Sequence, residues 1–375
     1  MKPSLTFYTN IISPYQLDFF DELSNLFSLQ VVFYAQNESG RSWEMSVTDL
    51  PYKVVVLEDG LTARSVQKLM PSYHYSMDIF KVASRDPSNS VILGGNYYIP
   101  NTLIALFLSA WKGKKIYWYG EKLFSAEGIK KKFKKILLQP IMIFTDAIFA
   151  VGESGIDSYM GYGYQKQCFN IPYNINNNKF YKELLDLNKL NSLHETYNSK
   201  DKIIILTSGA LIKRKGIDTA IKSYLDLKES DKKKSELWIL GDGPDEKELK
   251  SLASGCDAIK FLGFKQPSDI PYFFNLSDIF LFCSRYDGWG VVINEALASG
   301  MPIVVSDKVA AKEFVSNDNG FICNCEVISD YTSALEVLIG NDKLRLNMAL
   351  KSRKVSENWS SKLASEKVYK IISDT

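Results

Sequence analysis

Apolar and polar positions along the chain follow two patterns, short nearly unbroken apolar runs and longer stretches with helical spacing. Residues 5–9 form a run of the first kind, and 15–27 follow with Leu17, Phe20, Leu23, Leu26 and Phe27 on one helical face. Further runs at 31–34, 54–57, 91–93, 116–119 and 147–151 predict strands with helices between them. Strands alternating with helices predict βαβ units, hence a parallel sheet covered on both faces. Ligands bind at the carboxyl ends of such strands, which here are followed by loops 10–15, 94–98 and 120–124.

The pattern breaks at 171–178 and turns polar over 179–202, which reads as a linker with some helix and contains His194. Strand-like runs then resume at 203–207, 237–240, 259–262, 279–282 and 303–305. The expected layout is a first domain at 1–172, a linker at 173–202, a second domain at 203–355 and a closing helical segment at 356–375. Residues 344–372 read as helix, interrupted near Asn358, Trp359 and Ser360.

Composition supports this division. A chain of 375 residues is long for one core, and 46% hydrophobic with 13% aromatic residues fills two. A formal charge of +2 argues against a general nucleic-acid binder. Cys168, Cys256, Cys283, Cys323 and Cys325 show no disulfide framework, and Cys323 and Cys325 lack the second pair a zinc site would need. The first eight residues are too short and polar for a signal peptide, and no apolar run reaches 18 residues. The expectation is a reduced, cytoplasmic protein.

The chemistry concentrates in the second half. Residues 283–300 follow an apolar run, break at Gly288 and Gly290, and continue from Val291 with helical spacing. A strand, a glycine turn and a helix start make an anion site, because backbone N–H groups and the helix dipole point the same way. Asp287 and Glu295 flank it eight residues apart, a separation that lets one reach a sugar and the other a ribose. An ordinary glycine-rich strand-to-helix turn is the plainer account of the same stretch. The run at 203–207 leads through Gly209 into Lys213, Arg214 and Lys215, just before another predicted helix. Cations converging with N–H groups can grip a diphosphate without a metal, where a solvated loop is the alternative. Gly241 and Gly243 allow a ligand close to the backbone after the next run, and Phe264 closes a loop on the same edge.

The first half offers less. Glu121 follows the 116–119 run, where a carboxylate would face a ligand or simply be solvated. Arg41 and Trp43 lie in a polar segment, 36–44, that reads as a surface loop, with closure over a ligand as the alternative. His74 reads as structural. Lys130, Lys131, Lys132, Lys134 and Lys135 crowd one segment with Phe133, Ile136, Leu137 and Leu138 on its other face. Such a helix suits an anionic membrane surface, and a solvated helix with a core stripe is the competing account.

Taken together, residues 208–307 resemble the nucleotide-sugar half of the family 4 glycosyltransferases of the GT-B fold, and the rest resembles them in layout only. The resemblance implies two Rossmann-like doubly wound α/β domains facing a crevice, with the last helix crossing back to the first domain. It implies a retaining transfer from a nucleoside diphosphate sugar to a saccharide or lipid-linked saccharide, without cofactor or bound metal, in cell-surface polysaccharide synthesis. Lys215 and Arg214 would hold the diphosphate, Glu295 the ribose and Asp287 the transferred sugar. Gly288, Trp289, Gly290 and Val291 would line the donor, with Gly209, Gly241 and Gly243 nearby and the Phe264 loop at the base. Two departures stand out: Asp287 where the family usually has Glu, and Ala210 where many members carry Arg. The family's N-terminal histidine has no clear match, and Glu121 occupies about that place. A lipid-linked acceptor would put the protein at the inner face of the membrane. The alternatives are an epimerase of the same fold and a non-catalytic sugar-nucleotide-binding protein.

Overall fold

The structure, a computed structural model, describes residues 2–36, 49–67, 70, 73–197 and 201–374. Arg41 and Trp43 lie outside the described residues. The chain divides into two compact units, Met1–Asn174 with Ser361–Thr375, and Ile175–Ser360.

Strands of the first unit are β1 (Ser4–Thr9), β2 (Ser28–Phe33), β3 (Lys53–Val56), β4 (Ser90–Gly94), β5 (Lys115–Gly120), β6 (Ala147–Ala150) and β7 (Gln167–Asn170). Its helices up to residue 174 are α1 (Pro14–Leu26), α2 (Leu61–Gln67), α3 (Asp78–Arg85), α4 (Pro100–Trp111), α5 (Gly128–Phe144) and α6 (Glu153–Gly161). The strands form one parallel sheet in the order β3-β2-β1-β4-β5-β6-β7. Both faces are covered, so the strands carry apolar residues on both sides: Val31, Val32 and Phe33 are all fully buried. Helix α1 starts at Pro14, whose fixed φ suits a first helical turn, and buries Leu17, Phe20 and Leu23. The order reverses between β1 and β4, and there the loops after these strands crowd together: a Cβ on Gly95 would come 2.3 Å from Asn10 Oδ1.

Beneath the sheet, Asp86 carries a buried charge. Its carboxylate accepts hydrogen bonds from Thr6 Oγ1 (2.8 Å), Tyr8 OH (3.0 Å) and Ser88 N (3.0 Å), and Lys114 Nζ lies 2.8 Å away. His74 is also buried, with Nδ1 2.9 Å from Asp59 Oδ2.

Helix α5 departs from expectation. Phe133, Ile136, Leu137 and Leu138 are expected together on one face opposite the lysines, yet Phe133 and Ile136 are 62% and 66% exposed while Leu138 and Ile141 are fully buried. Apolar residues occur on two sides of this helix, so sequence spacing alone does not select the inward one. Lys134 also differs from its neighbours. Its ammonium donates to Phe124 O (2.6 Å) beside the ring of Tyr162, and burial holds its pKa below the usual lysine value.

The second unit contains α7 (Leu187–Tyr197), α8 (Ile217–Leu225), α9 (Glu229–Lys232), α10 (Glu246–Leu252), α11 (Ile270–Asn275), α12 (Val292–Ala298), α13 (Ile328–Gly340) and α14 (Asp342–Glu357). Its strands are β8 (Ile203–Ser208), β9 (Ser235–Leu240), β10 (Ile259–Gly263), β11 (Ile279–Phe282), β12 (Ile303–Ser306) and β13 (Gly320–Cys323). They form a second parallel sheet, β10-β9-β8-β11-β12-β13. Much of the polar stretch read as a linker is docked on this unit: Phe180 meets Phe274 at 5.8 Å, and Tyr197 meets Trp238 at 5.4 Å.

Helix α15 (Ser361–Asp374) belongs to the first unit. It lies on α1, where Tyr369 meets Phe27 at 5.3 Å, and Lys367 Nζ donates to Asn170 O at 3.0 Å. Both units are therefore Rossmann-like, doubly wound and parallel.

Candidate functional site

The strand order of the second unit reverses between β8 and β11, so the loops leaving these two strands open side by side. In open parallel sheets that switch point is where ligands bind. The loop after β8 carries Lys213, Arg214 and Lys215, and the loop after β11 carries Asp287 to Gly290. Residues 72 apart in sequence are thereby joined: Lys215 Nζ lies 2.5 Å from Asp287 Oδ2. Arg214 Nη1 approaches the same oxygen at 3.8 Å and donates to Tyr286 O at 2.8 Å. Lys215 also stands over the Phe282 ring, 5.3 Å from its centroid. Arg214 is exposed, whereas Lys215 and Asp287 keep 18% and 14% of their side chains exposed. The result is a compact cluster of two cations and one carboxylate at the mouth of the sheet.

Several contacts that sequence reading missed hold the two loops in register. Arg285 forks onto Asp218, with Nη1 to Oδ1 at 2.7 Å and Nη2 to Oδ2 at 2.8 Å, and donates to Lys213 O at 2.6 Å. Ser284 Oγ donates to Arg214 O and Tyr286 O, and Arg285 N donates to Arg214 O. Burial pushes the Asp218 carboxyl upward, but Arg285 and Lys222 together hold it below the usual range. The available signal was a pair of opposite charges, Asp218 and Arg285, next to two strand ends that a parallel sheet brings together.

Glycines make the close approach feasible. Gly216 takes φ +66°, and a Cβ there would fall 2.1 Å from Cys283 O, so this turn between Lys215 and α8 excludes any side chain. Gly241 takes φ +125° with a Cβ position 2.0 Å from Gly209 O, while Gly209 N donates to Leu240 O and Leu211 N to Asp242 O. Gly209, Gly241 and Gly243 thus knit the ends of β8 and β9 into one floor. Phe264 is half-buried just after β10, two strand spacings or roughly 10 Å from β8.

The glycine turn at Gly288 to Val291 is anchored from inside. Trp289 is buried, its Nε1 donates to Asn294 Oδ1 at 3.0 Å, and its ring meets Phe314 edge-on at 5.1 Å. Its backbone N–H points to Asp287 Oδ1 at 3.3 Å. Ile293 N and Asn294 N donate to Gly290 O and Val291 O at 2.9 Å, so these first-turn donors of α12 already have acceptors. Sequence reading counted such N–H groups towards an anion site, and tight-turn bonding has engaged these two. Glu295 sits half-buried on the same short helix.

Glu121 belongs to the first unit, exposed directly after β5, where its carboxylate engages the Tyr173 hydroxyl. Burial, then the Glu121 charge, raises the Tyr173 pKa well above its usual value. Among the described residues, no group of three or more His, Cys, Asp or Glu side chains is arranged to hold a metal ion.

Comparison with known proteins adds to this geometry. The profile of the family "Glycosyl transferases group 1" matches residues 191–355. An uncharacterized glycosyltransferase of Haemophilus influenzae is 34% identical over 161 residues, 41% of this chain and 44% of that protein. The N,N'-diacetylbacillosaminyl-diphospho-undecaprenol alpha-1,3-N-acetylgalactosaminyltransferase of Campylobacter jejuni is 29% identical over 212 residues, 55% of this chain and 54% of that protein. The chain thus spans about half the length of these curated relatives. The crystal structure of Anabaena HepE in complex with UDP has a TM-score of 0.80 at 15% identity, covering 99% of this chain and 100% of that one. At that identity the likeness is one of fold.

Proposed function

We propose, from the match of residues 191–355 to the glycosyl transferases group 1 profile, that the chain moves a sugar from a nucleoside diphosphate sugar to a saccharide or lipid-linked saccharide, with retention at the anomeric carbon. The observation that carries the reading is the meeting of Lys215, Arg214 and Asp287 at the switch point of the second sheet. The bond from the anomeric carbon to the diphosphate oxygen breaks, and an acceptor hydroxyl oxygen bonds to that carbon. The hydroxyl proton leaves with the departing diphosphate. Negative charge grows on that leaving group, and Lys215 and Arg214 stabilise it.

In this reading Asp287 takes the sugar hydroxyls and Glu295 the ribose. The turn at Gly288, Trp289, Gly290 and Val291 lines the sugar and phosphate, with the Gly209, Gly241 and Gly243 floor beside it and the Phe264 loop near the base. Glu121 serves the acceptor side. The named complexes of Anabaena HepE with UDP and with UDP-glucose support a nucleotide-sugar donor. The undecaprenol-linked substrate in the Campylobacter protein's name supports a lipid-linked acceptor, and with it a place at the inner face of the membrane, touched through the exposed lysines of the 130–135 segment. The domain limits 1–172, 173–202, 203–355 and 356–375 belong to the same proposal.

Transfer to a lipid-linked saccharide, followed by the anomeric coupling constant of the product, tests the reaction. Retention is expected, and an inverted product would refute the mechanism. Cations already stand where the diphosphate would lie, so turnover should survive EDTA. Loss in chelator with rescue by Mg²⁺ or Mn²⁺ would overturn the metal-free mechanism.

A further inference from the structure

Helix α5 is apolar on two sides. Leu138 and Ile141 are fully buried, while Ile129, Phe133, Ile136 and Ile143 stand 85%, 62%, 66% and 58% exposed. These four follow each other at intervals of four, three and seven residues. At 3.6 residues per turn they make one outward stripe roughly 21 Å long. Exposed Lys130, Lys132 and Lys135 lie to either side of it, exposed Lys131 falls nearer the opposite side, and α5 contains no Asp or Glu. Helix α4 extends the apolar surface: Phe107 meets Phe144 at 5.6 Å, and Trp111 is 82% exposed beside exposed Lys112. A helix that only solubilised its unit would bury one stripe and leave the other side polar.

We propose that this surface docks on a bilayer with anionic headgroups, the outward stripe lying in the interfacial plane among the first acyl-chain carbons and the lysines at phosphate level. Charge and shape select this occupant. The stripe carries only hydrocarbon, which lipid receives without unpaired polar groups, and every charged residue of α5 is a lysine. Contact is one-sided, because the opposite side of α5 lies in the core and no helix among the described residues is long and apolar enough to cross a membrane. Lys134 takes no part, being held inward at Phe124 O. Docking deepens the lipid-linked acceptor reading and rests on it for its purpose, while its measurement needs neither donor nor acceptor.

The test is co-sedimentation of the full chain with phosphatidylcholine–phosphatidylglycerol vesicles and with phosphatidylcholine alone. The expected result is binding to the anionic vesicles that weakens with salt. Changing Ile129, Phe133 and Ile136 together to Ser should reduce that binding about tenfold or more at unchanged charge, with the melting temperature retained because all three are exposed. Quenching of tryptophan fluorescence by brominated acyl chains should fall in W111F. Binding of the triple variant equal to the parent would overturn the inference, since lysines alone would then suffice. It is likewise overturned if the parent ignores both vesicles and forms a dimer that the triple variant cannot. Vesicle binding without transfer to any lipid-linked acceptor would support docking and remove the acceptor class instead.

Discussion

Replacing Lys215 with alanine is expected to lower kcat/KM for sugar transfer roughly thirty- to thousandfold, a loss of about 2–4 kcal/mol of transition-state stabilisation. The size follows from where the ammonium stands. It is mostly buried, within 2.5 Å of Asp287 Oδ2, at the point where the proposed leaving diphosphate gains charge. Charge that grows on departure makes the effect fall on kcat as well as on donor affinity. Arg214→Ala should cost less, because that guanidinium is exposed and already donates to Tyr286 O. Lys215→Arg should recover part of the rate by restoring charge. The unfolding temperature of each variant separates a lost contact from a lost fold. Turnover of Lys215→Ala within a few-fold of the parent would remove this residue from the mechanism.

Asp86→Ala should destabilise the first unit by about 3–5 kcal/mol, without any contact to the proposed donor. Removing the carboxylate leaves Lys114, whose side chain is only 6% exposed, as an uncompensated charge, and strips acceptors from Thr6 and Tyr8. The Asp86→Ala, Lys114→Met double variant should be more stable than the single, because the orphaned charge is gone. The pair also sets an acid limit. Burial pushes the Asp86 carboxyl up, but Lys114 and the Ser88 and Thr6 hydrogen bonds hold it below the usual value. A depressed folded pKa contributes stability above the unfolded value of about 3.9, and that contribution fades as pH falls through the folded value. Unfolding free energy of the parent should therefore drop below about pH 4, and the Asp86→Ala curve should be flatter there. A single-variant cost under about 1 kcal/mol would contradict the account.

Strands with strong apolar runs were legible from sequence, because a sheet covered on both faces needs them, and β11 at Ile279–Phe282 is the clearest case. The short edge strands β7 and β13 escaped notice, since Gln167–Asn170 begins and ends on polar residues and Gly320–Cys323 offers only Phe321 and Ile322 between a glycine and a cysteine. Polar composition also hid the docking of Phe180 and Tyr197, two aromatics in an otherwise linker-like stretch. The candidate site was legible as motifs following strands, because each lies within a few residues of a strand end. Its closure was not. Lys215 and Asp287 are separated by 72 residues, and only the reversal of strand order between β8 and β11 makes them neighbours. The Arg285–Asp218 fork spans 67 residues and was missed for the same reason. The aromatic ring of Trp289 serves the turn from within, a role that local spacing cannot reveal.

The central claim is that the second unit binds a nucleoside diphosphate sugar through Lys215. Titration calorimetry of the full chain against a panel of nucleoside diphosphate sugars, repeated with Lys215→Ala, tests it most directly. The account predicts saturable binding of at least one donor without added metal, weakened at least tenfold by the substitution, which corresponds to about 1.4 kcal/mol. Absence of binding across the panel, or equal affinity in Lys215→Ala, would contradict it.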